Sequence, residues 1–140
     1  MVHDQAFGDW RFVCVQAPDA TESCSAIQQL RVAETGAAVF VWRIMQDGRG
    51  GLVGIWQVPE TVLHAAGLLL DAGTPQPVAI PFETCGDGSC QAMANLTPAF
   101  IEKLSSAKTL SASVILTNRK PLKFPVSPTG LIDAIRALSQ

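Results

Sequence analysis

The stretch AAVFVWRIMQDGRGGLVGIWQVP, residues 37–59, decides the fold. Its first half is rich in β-branched and aromatic residues, the composition that suits a pleated, half-buried surface. Phe40, Trp42 and Ile44 recur with a period of two, which places them on one side of a strand. QDGRGG then supplies a glycine-rich loop, and LVGIWQVP returns with Gly54, Trp56 and Val58 in the same alternation until Pro59 stops it. Two alternating runs around such a loop predict a β-hairpin.

The pattern repeats on either side. Upstream, Trp10, Phe12 and Cys14 fall on one face of a strand, APDATES marks a turn, and Cys24, Ala26, Gln28, Leu30 and Val32 share a side of the next strand. Downstream, strands are expected at 67–70, 78–84, 90–95, 110–117 and 122–126. Two helices interrupt them. Thr97-Pro98 reads as an N-cap followed by proline at the first helical position, with Phe100, Ile101 and Leu104 on one face. Ser127-Pro128 opens the second, with Leu131, Ile135 and Leu138 as its apolar stripe. The expectation is a mainly β protein of eight or nine short strands, an antiparallel β-sandwich with short helices near 98–107 and 128–138. A closed barrel is the alternative.

The chain of 140 residues fits one domain, 1–140, with residues 1–8 read as a flexible N-terminal segment. With 48% hydrophobic and 16% charged residues it is too apolar for disorder. A net charge of −2 and pI near 5.6 leave no nucleic-acid footprint. The longest apolar run, Val62–Leu70, is interrupted by His64 and falls far short of the ~20 residues of a membrane span.

Four cysteines allow three pairings. Cys14 with Cys24, and Cys85 with Cys90, would each close a short loop between strands that approach one another. Zinc is a rival, but structural sites favour C-x₂₋₄-C pairs, and Cys14 and Cys24 are too far apart for that. A redox pair would call for C-x-x-C at a helix start, which neither pair offers. Structural disulfides are the reading the spacing supports best, and they imply an oxidising compartment. MVHDQAFGDW carries no basic, apolar and small-residue leader pattern. The expectation is therefore an exported protein whose signal peptide lies outside this sequence.

FGDWRFVC at 7–14, a second cysteine soon after, and TCGDGSCQA at 84–92 resemble the bacterial invasion-associated locus B (IalB) proteins. The similarity extends through LVGIWQVPETVLHAAGLLL at 52–70. It runs on to FPVSPTGLIDAIRAL at 124–138, which is similar to that family's S-x-x-G-F-x-x-A-L-x-x-L ending with Leu131 at the phenylalanine position. The resemblance covers nearly the whole chain. It implies an immunoglobulin-like β-sandwich with two local disulfides, exported to the bacterial envelope: periplasmic, outer-membrane-associated or secreted. It also implies a link to host-cell invasion in some pathogens, and no catalytic motif to carry over.

The remaining residues offer little chemistry. No cofactor or metal is expected. His64 in VLHAAG reads as a satisfied histidine on an apolar segment, and Glu83 and Asp87 as solvated loop carboxylates. A small hydrolase-like enzyme, the alternative reading, would have its site near His64 or at the Glu83/Asp87 loop. The tryptophans read as core, with one minority arrangement: Trp42 exposed near QDGRGG beside Arg43 and Arg49 as a small binding patch. The leading expectation is a non-enzymatic envelope protein whose partner is another protein or an envelope component.

Overall fold

A computed structural model describes residues 2–16, 18, 22–31, 38–73, 77–86 and 88–138. Val32, most of the APDATES turn and Asp87 lie outside them. Eleven strands and two helices are described: β1 (Val2–Phe7), β2 (Trp10–Gln16), β3 (Glu22–Arg31), β4 (Ala38–Gln46), β5 (Leu52–Pro59), β6 (Leu68–Asp71), β7 (Val78–Ile80), β8 (Phe82–Gly86), β9 (Ser89–Leu96), α1 (Pro98–Ser106), β10 (Leu110–Ile115), β11 (Pro121–Val126) and α2 (Leu131–Leu138). One sheet has seven strands in the order β1-β2-β3-β4-β5-β9-β8, the other four in the order β11-β10-β6-β7. All pairings are antiparallel. The two sheets enclose a common core and do not close into a barrel, so the mainly β sandwich with two helices stands as expected.

Strand alternation sends Trp10, Phe40, Trp42, Ile44 and Trp56 inward, where all five are fully buried. Trp42 lies against Trp10, with ring centroids 5.3 Å apart, and against Trp56 at 5.2 Å. Gly54 makes room for this cluster: a Cβ there would stand 2.7 Å from the Trp56 ring. The four-stranded sheet covers one part of the inner face, with Phe124 of β11 stacked on Phe40 of β4 at 4.9 Å. Helix α2 covers the rest, packing on β1 to β4 through buried Leu131, Ala134, Ile135 and Leu138. Helix α1 begins as expected, with Thr97 Oγ1 accepting a hydrogen bond from the Phe100 amide at 3.2 Å. No described helix is long and apolar enough to cross a membrane.

Three expectations are corrected. Residues 2–7 are not a loose segment: they pair along their whole length with β2, from Val2 opposite Val15 to Phe7 opposite Trp10. The stretch 78–84 is two strands, β7 and β8, belonging to different sheets. Pro81 sits between them, and lacking an N–H it cannot extend a ladder, so the chain changes sheets there. The second helix starts at Leu131, three residues later than Pro128, because Gly130 holds a left-handed φ of 89° that no helix accommodates.

Candidate functional site

The most developed polar cluster joins the two ends of the chain. The turn after β1 carries Gly8 and Asp9, and the link from β11 to α2 is Ser127-Pro128-Thr129-Gly130. The Asp9 amide donates to the Thr129 carbonyl at 3.0 Å, and Trp10 Nε1–H donates to the Ser127 carbonyl at 2.8 Å. Buried Gln28 brackets the same residue: its Nε2 donates to the Ser127 carbonyl at 3.0 Å and its Oε1 accepts from the Ser127 amide at 2.9 Å. Ser127 Oγ donates to the Asp9 carboxylate. These bonds tie the two ends of the chain together, so the cluster works as a clamp, with the exposed Asp9 at its edge. FGDW and SPTG, both quoted for the family resemblance, are its two halves.

The cysteines form two disulfides, Cys14–Cys24 and Cys85–Cys90, and no described cysteine is free. Each links residues directly opposite in the ladder, β2 to β3 and β8 to β9. No described group of three or more His, Cys, Asp or Glu side chains could hold a metal ion. From the sequence separations of 10 and 5, replacing each pair by alanine is expected to cost ~3 and ~2 kcal/mol respectively. Urea unfolding of the two double variants checks both the size and the order of these losses.

The candidates for chemistry are scattered. His64 is exposed on a single 3-10 turn, His64–Ala66, with its ring 6.1 Å from that of Phe82. The hollow beside it, about 370 Å³, is lined by alanines, Gly67, Ile80, Pro81 and Phe82, with no carboxylate or hydroxyl in that lining to pair with the imidazole. Glu83 is exposed at the irregular rung of the β8 edge.

The expected patch of Trp42, Arg43 and Arg49 is not formed. Adjacent strand residues point to opposite faces, so Trp42 lies in the core while Arg43 is half-buried on the outside. Arg49 is exposed in the β4–β5 loop, which Asp47 organises by accepting from the Arg49 amide at 2.7 Å and the Gly51 amide at 3.0 Å. Those two N–H donors, Arg49 first, hold the Asp47 carboxyl below the usual carboxylate range.

What sequence reasoning missed is the outer face of the seven-stranded sheet. Ile27, Val41, Met45, Val53 and Ile55 are half-buried there and Met93 is 37% exposed. Two shallow hollows flank this face. One of about 470 Å³ is lined by Asp4, Asp9, Arg11, Val13, Ile27 and Gln29, and one of about 480 Å³ by Gln57, Thr84, Cys85 and Gln91 among others. The signal was present in VFVWRIM and LVGIWQV, which are apolar at both parities of the alternation, whereas a strand with one solvated face is polar at every second position.

The crystal structure of invasion associated protein B from Bartonella henselae superimposes with a TM-score of 0.83, covering 98% of this chain and 95% of that one at 17% sequence identity. No curated protein matches the sequence. The sequence profile of the invasion associated locus B (IalB) protein matches residues 10–139, a span that starts at Trp10 of the clamp and includes all of α2, and the chain belongs to the IalB family.

Proposed function

We propose that this protein is an exported, non-enzymatic component of the bacterial envelope that acts by binding another protein or an envelope component. The observation that carries the binding reading is the apolar strip of Ile27, Val41, Met45, Val53, Ile55 and Met93 on the outer face of the seven-stranded sheet, which no described element covers, since exposed apolar patches mark interaction sites. The paired cysteines support an oxidising compartment, the periplasm, the outer surface or the medium. A link to host-cell invasion is the finer form of the reading, supported by the family and by the name of the Bartonella henselae protein.

The test is to express the protein with its native leader in its own bacterium, alkylate the cells under denaturing conditions without reductant, and fractionate them. Linked peptides containing Cys14–Cys24 and Cys85–Cys90 in an envelope or secreted fraction are expected. Four alkylated thiols in the cytoplasmic fraction would overturn the compartment. His64→Ala separates the binding protein from an enzyme: an exposed residue without a partnered base should change stability by less than ~0.5 kcal/mol and leave the biological activity intact. Loss of that activity in a folded His64→Ala variant would favour the catalytic alternative.

A further inference from the structure

Register aligns Arg11 of β2, Ile27 of β3, Arg43 of β4, Ile55 of β5 and Met93 of β9 in one row across the outer face, and Arg11 at its end is paired with Asp4 at 2.6 Å. Met45 and Val53 lie in the next row. Helix α2 and the four-stranded sheet share the core cluster on the opposite side, so neither layer covers this face. Among the described side chains of β3, β4, β5 and β9, Arg43 is the one charge placed there. It is half-buried among aliphatic neighbours and has no ion pair or hydrogen bond with any described residue.

We propose that this face docks a protein partner that lays an apolar segment across β3, β4, β5 and β9 and sets one carboxylate against Arg43. The proposal rests on the binding reading above and specifies the partner's chemistry. Covering the face removes Arg43 from water, which is unfavourable unless an anion meets the guanidinium, and a carboxylate can do so with two parallel hydrogen bonds. A second copy of this chain is a poor occupant. The carboxylates it would bring, Asp4 and Asp9, lie at the β1–β2 end of the face and are already engaged, Asp4 with Arg11 at 2.6 Å and Asp9 with Ser127, so neither is free to meet the other copy's Arg43. An anionic lipid surface is also a poor fit, because such surfaces are met by clusters of lysine and arginine, and here Arg43 is flanked by the neutral amides of Gln57, Gln91 and Asn95 while Arg11, at the end of its row, is paired with Asp4. Those amides suit the polar rim of a protein interface.

The test places p-benzoylphenylalanine at Met93 on this face, and separately at Leu69 of β6 on the other sheet. Both positions are exposed, at 37% and 39%. Irradiation of cells carrying the full-length protein is followed by mass spectrometry of the adducts. The expected result is a Met93 adduct to a different polypeptide through an apolar segment that contains Asp or Glu. Arg43→Glu should lower its yield by about 30-fold or more, as for a desolvated charge pair with one partner removed. Arg49→Glu, in the neighbouring loop, should leave it unchanged. Arg43→Gln serves if the glutamate variant melts early, and should weaken the adduct in the same direction. An adduct to a second copy of this chain would overturn the proposal. So would a yield insensitive to Arg43, or Arg43-dependent binding of the purified protein to phosphatidylglycerol–phosphatidylethanolamine vesicles. Adducts at Leu69 without any at Met93 would overturn this face and leave the binding function standing. No adduct at either position would remove both.

Discussion

Gly130→Ala is expected to lower the stability of the fold by about 4 kcal/mol or more, the upper end of single-residue effects. Two penalties coincide at this position. Its φ of 89° is left-handed, where a Cβ costs roughly 1–2 kcal/mol. The new Cβ would also lie 1.7 Å from the Phe7 carbonyl oxygen, a distance that no side-chain adjustment can relieve because both sides of the contact are backbone. The β1–β2 turn and the start of α2 must separate. Separation breaks the bond from Asp9 to Thr129 and pulls Ser127 away from Trp10 and Gln28. Each lost bond is worth ~0.5–1.5 kcal/mol, and more where a buried donor such as the Trp10 indole is left unsatisfied. Gly48→Ala isolates the first penalty, because Gly48 has a similar φ of 83° with nothing within 4 Å of its Cβ position. That control should lose only ~1–2 kcal/mol. Urea denaturation of both variants decides the matter: equal losses would mean that the clamp contributes nothing beyond local backbone strain.

The clamp also explains why the family was legible at such a distance. The features of FGDW and SPTGLIDAIRAL that carry the resemblance are close-approach glycines, clamp hydrogen-bond partners and inward residues of α2, all consumed by the fold. A framework specified in this way can persist at 17% identity with a TM-score of 0.83. Such motifs therefore identify the fold and carry no information about the partner. The binding chemistry therefore has to be argued from this chain's own side chains on the outer face around Arg43.

Legibility elsewhere followed how local the causes were. The 37–59 hairpin was readable because alternation, glycine and proline all act within a few residues, and β5 spans Leu52–Pro59 as the sequence reading had it. The start of α1 was readable for the same reason, through Thr97 and Pro98. Strand β1 was not, because VHDQAF carries no clear alternation of its own and is held by its pairing with β2 and by α2 from the far end of the chain. The split at Pro81 was missed because both halves favour strand locally and only the two-sheet arrangement separates them. The patch of Trp42 with Arg43 failed on a local rule instead: consecutive residues of a strand cannot share a face.

The tryptophan cluster gives the second large effect. Trp42→Ala or Trp56→Ala should cost about 3–5 kcal/mol, because each removes a fully buried aromatic ring from a packed interior. The phenylalanine variants are more informative, because the three indoles differ in one respect. Trp10 Nε1–H is bonded to the Ser127 carbonyl, whereas the Nε1–H groups of Trp42 and Trp56 are buried without a partner among the described residues. An unsatisfied buried donor costs ~1–3 kcal/mol, and phenylalanine removes that donor together with part of the ring. For Trp42→Phe the lost packing is therefore partly offset by the lost penalty. For Trp10→Phe the lost packing adds to a lost hydrogen bond, although the Ser127 carbonyl keeps its bond from Gln28. Trp10→Phe should consequently be the more destabilising of the two by ~1–2 kcal/mol, despite the same change in side-chain size at two fully buried sites. Thermal and urea unfolding monitored by far-UV circular dichroism, which does not depend on the substituted fluorophore, measures the difference. Equal losses would show that the Trp42 donor is satisfied in solution, with water reaching the centre of the sandwich.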